Sequence, residues 1–495
     1  MRCVVFGATG YLGTRLAPEL LAAGHQVRVM ARDPKKLDNV AWRDQVEIVQ
    51  GDVIDASAVS AALEGQDVLY YLVHSLLRSD FVDFDDRAAR IVADCAAGAG
   101  VSRIVYVGGI IPDGQKLSDH LASRAQVGEL LMESGVPTVE LRAAAIIGAG
   151  SASFEMLRYL TERLPLIVAP RWLRTRVQPI AVRDVLYYLV ESARLPSGVN
   201  RPFDIGGPDR FSYTEMIRKY AAVAGLPRRP EVPIPLLTPG LSAPWVDLLT
   251  PLPRQLAVSL MESLENDVVC ADHDIARYIP DPENGLTHYE EAVELALGHV
   301  RHSELRTKWS RADTDGSPSQ PLPTDPQWSG GPLYDDVRRR HSHVDPATLW
   351  RAIETAVTQR NWSVVPWGWP LRGWVNGLLG AVGVRRRLDG HQPHDGEALD
   401  WWRVEHTDPP RLLRLRADIP LPGRLWLELS AGPDGNGGSE YRQRALFQPY
   451  GLAGQLFWTA SAPYRDAVFG GIARDVTATA HRGRSDRAVA GKENA

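Results

Sequence analysis

The sequence predicts an α/β protein in which a doubly wound parallel sheet with a small substrate-side lobe precedes a separate α+β domain. Three observations support this prediction. A short apolar strand, VVF at 4–6, leads directly into three glycines spaced three residues apart. Strand-like and helix-like segments then alternate, as a parallel sheet covered by helices requires. A polar segment rich in Pro, Ser and Asp then separates this part from a second half built of short apolar runs.

Composition narrows the class of protein. Hydrophobic residues make up 44% and charged residues 23% of the 495 residues, which is typical of a globular protein with more than one domain. The net charge of -5 gives no whole-chain basic signature, so we expect no nucleic-acid partner. Three widely separated cysteines match no metal spacing and suit a reducing compartment. With no secretory signal pattern and no apolar run of about 18 residues, the sequence predicts a cytoplasmic location.

The first unit of structure is predicted to be strand, turn, helix and strand. Leu12, Leu16 and Leu20 recur at helical spacing after the glycines, and HQVRVMAR (25–32) follows as a second strand. In such a unit, Gly7 allows a tight turn, Gly10 lets the backbone approach a pyrophosphate, and Gly13 lets the helix pack close to the strand. The free N–H groups of the helix N-terminus favour phosphate binding. The unit therefore predicts a dinucleotide site.

The spacing from Gly7 to Gly13 resembles that of the atypical and extended short-chain dehydrogenase/reductases, of the NmrA-like and epimerase-like kind, which have an NAD(P)-binding Rossmann fold. Later segments, GDVID (51–55), DVLYYLVHS (67–75) and RIVYVGGI (103–110), extend the resemblance over about 1–300. It implies that Asp52 and Val53 contact adenine and that the end of the fourth strand passes the cofactor ribose. The implied cofactor-binding residues are Gly7, Thr9, Gly10, Tyr11, Leu12, Gly13, Asp52, Val53, Leu72, Val73 and His74.

The end of the second strand bears on which nicotinamide cofactor is bound. NAD-binding units usually place Asp or Glu there for the ribose 2′-hydroxyl. Here the first charged residue is Arg32, with Lys35 and Lys36 close behind, and an arginine suits the 2′-phosphate of NADP. NADP(H) is therefore the favoured cofactor. NAD stays open, because Asp33 could turn toward the ribose and the basic residues could be a solvated turn.

The expected catalytic pair departs from the family pattern. Short-chain reductases use Tyr-x-x-x-Lys after the fifth strand, whereas SDHLASRAQ (118–126) places His120 at the tyrosine position and Arg124 at the lysine position. A histidine with a pKa near 6.5 can transfer protons at neutral pH, and an arginine can hold ribose or phosphate oxygens but cannot act as a base. His120 and Arg124 are thus candidate catalytic residues. The alternative is a helix-start histidine without a catalytic role.

The domain boundaries follow from these patterns. We expect a Rossmann domain over 1–225, a substrate-side lobe over 226–300, a linker over 301–331, an α+β domain over 332–482 and a disordered tail over 483–495. The order of a helix (345–357), an antiparallel sheet and a last helix (463–480) resembles the START-like, SRPBCC or polyketide-cyclase-like helix-grip fold. The same region resembles a domain of unknown function that follows Rossmann domains in bacterial oxidoreductases. The START-like resemblance implies an apolar cavity, although the many tryptophans could equally fill the core.

The expected function is that of an NAD(P)-dependent oxidoreductase that transfers hydride to or from a carbonyl or alcohol on a small apolar substrate. Two alternatives stay open: a non-catalytic NADP(H)-binding sensor, and an apolar-ligand-binding protein. The aromatic segment 367–387, which ends in three arginines, could contact a membrane surface or cover an apolar ligand.

Overall fold

The chain divides into two units, Met1–Gly331 and Pro332–Ala495. The structure, a computed structural model, describes residues 1–112, 114–115, 117–233, 250–303, 325–326, 333–358, 393–394, 396–399, 402–419, 421–434, 438–449 and 451–493. The segment 367–387, proposed above as a membrane contact, lies outside the described residues.

Unit 1 is built on a seven-stranded parallel sheet with the strand order β11-β6-β5-β4-β1-β2-β3. Its central strands are almost entirely buried, because helices cover both faces of the sheet. In chain order the strands are β1 (Arg2–Phe6), β2 (Gln26–Ala31), β3 (Glu47–Gln50), β4 (Val68–Tyr71), β5 (Arg103–Gly109), β6 (Thr138–Ala143) and β11 (Arg201–Ile205).

Helices pack against both faces of this sheet, so the predicted doubly wound α/β fold is confirmed. Consecutive residues of β1 enter opposite cores: Val5 belongs to the core that contains Leu20 and Leu189, and Phe6 to the core that contains Val92. The helices of unit 1 are α1 (Tyr11–Ala22), α2 (Ala56–Leu63), α3 (Phe81–Ala99), α4 (Asp119–Glu133), α5 (Ala152–Arg163), α6 (Val182–Ser192), α7 (Tyr213–Val223), α8 (Arg254–Ser263) and α9 (Tyr289–Ser303).

A lobe at one end of the sheet contains α5, α7, α8 and α9, so it draws on residues well before the expected start at 226. Phe154 of α5, Tyr220 of α7 and Val293 of α9 share one apolar core, and Met156 of α5 and Met261 of α8 share another. Three short strand pairs complete the lobe: β7 (Ile146–Ile147) with β10 (Ile180–Ala181), β9 (Arg176–Val177) with β12 (Phe211–Ser212), and β8 (Ile167–Ala169) with β13 (Glu231–Pro233).

Unit 2 contains a six-stranded antiparallel sheet in the order β14-β19-β18-β17-β16-β15, with α10 and α12 contributing to its apolar core. This agrees with the predicted α+β class, while the START-like assignment stays a prediction. The elements are β14 (Tyr334–Ser342), α10 (Pro346–Thr358), β15 (Ala398–Leu399), β16 (Trp402–Asp408), β17 (Leu412–Ala417), β18 (Gly423–Pro433), β19 (Ser439–Pro449), α11 (Gly451–Ala460) and α12 (Ala462–Glu493).

Two elements of unit 2 differ from the sequence-based prediction. Strand β14 was not expected, because YDDVRRRHS is rich in charge; it forms the edge of the sheet, where charged side chains reach solvent and oppose further pairing. Helix α12 continues through Glu493, so residues 483–493 are helical rather than a disordered tail. Alanine and arginine recur in that stretch and both favour helix.

Candidate functional site

A cavity of about 580 Å³ opens at the carboxyl ends of β1 and β4 and extends into the lobe. These strands are neighbours, yet the chain leaves β1 toward β2 on one side and leaves β4 toward β5 on the other. In open α/β sheets, such a switch point leaves a crevice where ligands bind. The topology thus places the glycine-rich turn after β1 directly beside the segment that follows β4.

The glycine-rich turn is shaped to leave the floor of this crevice open. Gly7 has a φ of +86°, and a Cβ there would stand 2.6 Å from the carbonyl oxygen of Leu72. A Cβ on Gly13 would stand 2.3 Å from the carbonyl oxygen of Gly7, so this glycine allows α1 to pack on the turn. Gly10 is exposed, and a Cβ there would meet only Gly7 within 4 Å. Because glycines have no side chain, the backbone at the start of α1 stays accessible, which fits the binding of a dinucleotide pyrophosphate.

Most of the predicted cofactor residues line the cavity. They include the backbone turn residues, the residues after β3 and the residues after β4: Gly7, Thr9, Gly10, Tyr11, Leu12, Arg32, Asp52, Val53, Leu72, Val73 and His74. Gly13 is the exception and lies behind the turn, where it serves packing. Arg32 is exposed at the end of β2, on the cavity wall. The structure therefore brings the glycine-rich turn and Arg32, which the sequence predicts to bind the pyrophosphate and the 2′-phosphate, to one cleft.

Two histidines meet where the cofactor cleft joins the lobe. The rings of His74 and His120 stack with their centroids 5.2 Å apart. The Nδ1 of His120 lies 3.0 Å from Ser263 Oγ on α8, and Ser263 Oγ in turn lies 3.3 Å from Ser118 Oγ and donates to the carbonyl oxygen of Ser259. Both histidines line the cavity. A chain of exchangeable protons thus runs from His120 into the lobe.

Both histidine side chains are neutral at pH 7. Burial, reinforced by the positive charge of Arg124, lowers the pKa of His120 to about 4. The ring of His74 has surface open to the cleft, but the surrounding protein desolvates it, and this desolvation, reinforced by the positive charge of Arg124, lowers its pKa well below the usual range. The expectation of a histidine titrating near 6.5 is therefore wrong, because the sequence carried no information about burial.

Arg124 plays a different part from the one its position suggested. It donates to the carbonyl oxygen of Val73 at 3.3 Å and to that of Val107, and its guanidinium lies 4.7 Å from the ring centroid of Tyr106. Arg124 thereby links the segment that follows β4, which contains Val73, to strand β5, which contains Val107. Two of its donors are thus committed to backbone rather than free for ribose oxygens, although its charge still faces the cavity.

The lobe end of the cavity is apolar. From Ala143 onward no described lining residue carries a charge, and the larger side chains are Met156, Leu157, Leu160, Leu173, Met216, Ile217, Leu256, Leu260 and Leu264. Tyr213, the first residue of α7, also lines this part, and burial raises the pKa of its phenol. Such a lining suits an uncharged, largely hydrocarbon ligand with few polar groups.

Sequence reasoning missed Ser263 and Tyr213. Ser263 is separated from His120 by 143 positions, so no local spacing could relate them. Tyr213 lies within the capping box formed by Ser212 and Glu215, a signal that marks the start of a helix but not what its first side chain faces.

Two features are absent from the described residues. These residues contain no group of three or more His, Cys, Asp and Glu side chains placed to hold a metal ion. None of their helices combines the length and the apolar composition that crossing a bilayer requires.

Comparison with known proteins bears on both units. Residues 7–146 match a family described as NAD(P)H-binding, and residues 328–472 match a family of proteins of unknown function, DUF2867. The chain is 30% identical over 298 residues to the ceramide reductase of Caulobacter vibrioides, covering 57% of this chain and 92% of that protein. It is 28% identical over 259 residues to an uncharacterized protein of Mycobacterium tuberculosis, covering 51% of this chain and only 26% of that longer protein.

Among solved structures, triphenylmethane reductase of a Citrobacter species has a similar fold. The alignment has a TM-score of 0.50 at 17% identity and covers 60% of this chain and 100% of that protein. At this identity the likeness shows the fold alone.

Proposed function

Since this chain belongs to the NAD(P)H-binding short-chain reductase family that includes ceramide reductase, we propose that it reduces the carbonyl group of an uncharged, apolar substrate. The observation that carries the proposal is the continuity of one cavity, from the glycine-rich turn through His120 to a lobe whose described lining bears no charge. A phosphorylated or carboxylated substrate would find no cationic partner there. The ceramide reductase relative, whose name points to a lipid substrate, agrees with this choice.

The cofactor we propose is NADP(H), with NAD(H) as the alternative. Gly7, Gly10 and the N-terminus of α1 would hold the pyrophosphate, Asp52 and Val53 the adenine, and Arg32 the 2′-phosphate. When bound in its reduced form, the nicotinamide supplies the hydride for the carbonyl carbon.

His120 would act on the carbonyl oxygen. With a pKa of about 4 it is neutral, and a neutral imidazole can donate a hydrogen bond from Nε2 that polarises a carbonyl. The hydroxyl of Ser263 lies 3.0 Å from Nδ1, and by turning its proton from the carbonyl oxygen of Ser259 to Nδ1 it would hold the ring in the tautomer that carries its proton on Nε2. The proton given to the oxygen would be replaced from solvent through the half-buried Ser118 and then Ser263, and the charge of Arg124 would stabilise the developing negative charge.

Tyr213 would recognise a second polar group of the substrate. Its phenol lies in the apolar part of the cavity, where a hydrogen bond gains strength and an unsatisfied hydroxyl on the ligand is costly. A substrate with a second oxygen within its hydrocarbon body would therefore be favoured over a plain hydrocarbon ketone.

The test is turnover of a matched ketone series by the full-length protein, followed as NADPH consumption. We compare methyl ketones of increasing chain length with an oxo-acid of equal length. The proposal expects kcat/KM to rise about fourfold per added methylene, since each buried methylene contributes ~0.8 kcal/mol, and the oxo-acid to be a poor substrate. A preference for the charged substrate would contradict it.

One observation favours a second candidate, a cofactor-binding sensor without catalysis. Arg124, at the position of the family lysine, directs donors to the backbone carbonyls of Val73 and Val107. Tight NADPH binding with no turnover of any ketone or alcohol in the series would select this candidate over the reductase.

A further inference from the structure

A buried ion pair joins the first helix of unit 1 to a residue far along the chain. Arg15 on α1 donates from Nη1 to Asp325 Oδ1 and from Nη2 to Asp325 Oδ2, both at 2.7 Å. The side chains are 1% and 2% exposed. Asp325 belongs to the segment 301–331 that composition predicted to be a linker, so this part of it is instead built into unit 1.

Arg15 connects the two sides of the cavity. Its guanidinium donates to the carbonyl oxygen of Tyr11 at 3.1 Å and to that of Ala149 at 3.0 Å, and it stacks 4.1 Å from the ring centroid of Tyr11. Tyr11 lines the cofactor end of the cavity, and Ser151, two residues after Ala149, lines the lobe end. The position of one guanidinium thus sets the distance between the start of α1 and the turn that leads into α5.

The turn before α5 has room for Asp325 only because of a glycine. Gly150 has a φ of +88°, and a Cβ there would stand 2.7 Å from Asp325 Oδ2. The backbone N–H of Gly150 donates to Glu155 Oε1 at 3.0 Å, which holds the turn in this shape. A buried arginine keeps its charge, and leaving it without a carboxylate is strongly unfavourable. Asp325 is therefore needed for Arg15 to occupy its place.

We infer that Asp325 is a positioning residue of the nucleotide cleft: by holding Arg15, it keeps Tyr11 and the turn at Ala149 at the spacing that the cofactor requires. It touches neither the cavity nor a reacting group, and it acts through Arg15. The inference depends on the cofactor cleft and not on the proposed substrate, so it can be tested by cofactor binding without turnover.

The experiment measures NADPH affinity and thermal stability of four full-length proteins: wild type, Asp325→Asn, the double variant Arg15→Met with Asp325→Leu, and Asp184→Asn. Asp184 is the matched control, because it is also a buried carboxylate of unit 1, bound to Thr287 at 2.8 Å and 3.1 Å, but lies off the cavity. The double variant removes the charged pair altogether and leaves no unpaired ion, so it should stay folded.

We expect Asp325→Asn and the double variant to bind NADPH about tenfold or more weakly, since displacement of a binding group by about 1 Å carries costs of this size. Asp184→Asn should lose stability but bind NADPH as wild type does. Two results would overturn the inference: a double variant that is folded and binds NADPH with wild-type affinity, or a loss of affinity in Asp184→Asn equal to that in Asp325→Asn.

Discussion

The Nδ1 of His120 on α4 lies 3.0 Å from the Oγ of Ser263 on α8. The contact joins a helix of the parallel sheet to a helix of the lobe, across the point where the cofactor cleft meets the apolar cavity. Because an imidazole has one proton when neutral, the partner at Nδ1 decides whether Nε2 donates or accepts. The lobe therefore takes part in setting the protonation of the proposed catalytic group.

Replacement of either residue should lower the rate without weakening cofactor binding. We expect His120→Ala to lower kcat by about 10²–10⁴-fold, as is typical for loss of general acid catalysis. Ser263→Ala should lower kcat by roughly fivefold, since one hydrogen bond is worth about 1 kcal/mol. NADPH consumption gives kcat, and a fluorescence titration gives the affinity. An unchanged kcat in His120→Ala would assign the proton to another donor.

Stability should fall with acidification in a way that depends on His120. Its pKa is about 4 in the folded protein and near 6.5 when unfolded, so between these values the unfolded chain binds more protons. Above about pH 6.5, the low pKa of His120 contributes nothing that opposes folding. As the pH falls from there toward 4, the free energy of unfolding decreases by roughly 3 kcal/mol because of this residue. Urea unfolding at pH 7 and pH 5 should show a smaller difference in His120→Gln than in wild type. His394→Gln, which changes an exposed histidine of unit 2, should keep the wild-type difference.

A side chain at Gly10 should block the cofactor while sparing the fold. Gly10 has φ and ψ of -88° and 173°, which any residue adopts, and a Cβ there meets only the turn's own backbone. Gly10→Val should therefore abolish NADPH and NADH binding with little change in the melting temperature. Gly98→Ala serves as a control, because nothing lies within 4 Å of its added Cβ. Cofactor binding by Gly10→Val at wild-type affinity would place the pyrophosphate elsewhere.

Cofactor preference should depend on Arg32. Loss of a charge-assisted contact to the 2′-phosphate costs about 1.5–3 kcal/mol, so Arg32→Ala should weaken NADPH binding by roughly tenfold or more and leave NADH unchanged. Arg43→Ala removes an equal charge away from the cavity and controls for long-range electrostatics. The measurement is a titration of NADPH and of NADH against wild type, Arg32→Ala and Arg43→Ala. Equal NADPH affinity in wild type and Arg32→Ala would contradict the assignment.

Unit 2 should fold as an isolated fragment starting at Pro332, where the chain divides. Its core is its own: Trp458 is buried and stacks on Phe447, with ring centroids 5.1 Å apart. We expect a cooperative urea transition, and a loss of about 3–5 kcal/mol in Trp458→Ala. The START-like resemblance further predicts that tryptophan fluorescence responds to steroid-like or isoprenoid ligands. A folded fragment without any response would favour tryptophans as core packing, and a molten fragment would mean that the boundary is wrong.

Local pattern was enough to predict the elements that build the cofactor cleft. Gly7 needs a positive φ and Gly13 needs close packing, and both demands arise within a few residues of the chain. The apolar runs of β1 and β4 require burial on both faces, which implies a parallel sheet, and such a sheet brings Asp52 and Leu72 to the same edge. The α/β class and the NAD(P)-binding fold could therefore be predicted from the sequence.

Contacts between distant segments could not be predicted in this way. Ser263 reaches His120, and Asp325 reaches Arg15, across 143 and 310 positions, and nothing in either local sequence distinguishes these residues from solvated ones. The low pKa of His120 likewise depends on burial that arises only when α8 and the lobe close over α4. Backbone conformation is determined by neighbours in the chain, whereas protonation, charge pairing and cavity shape are determined by neighbours in space, and packing alone brings those together.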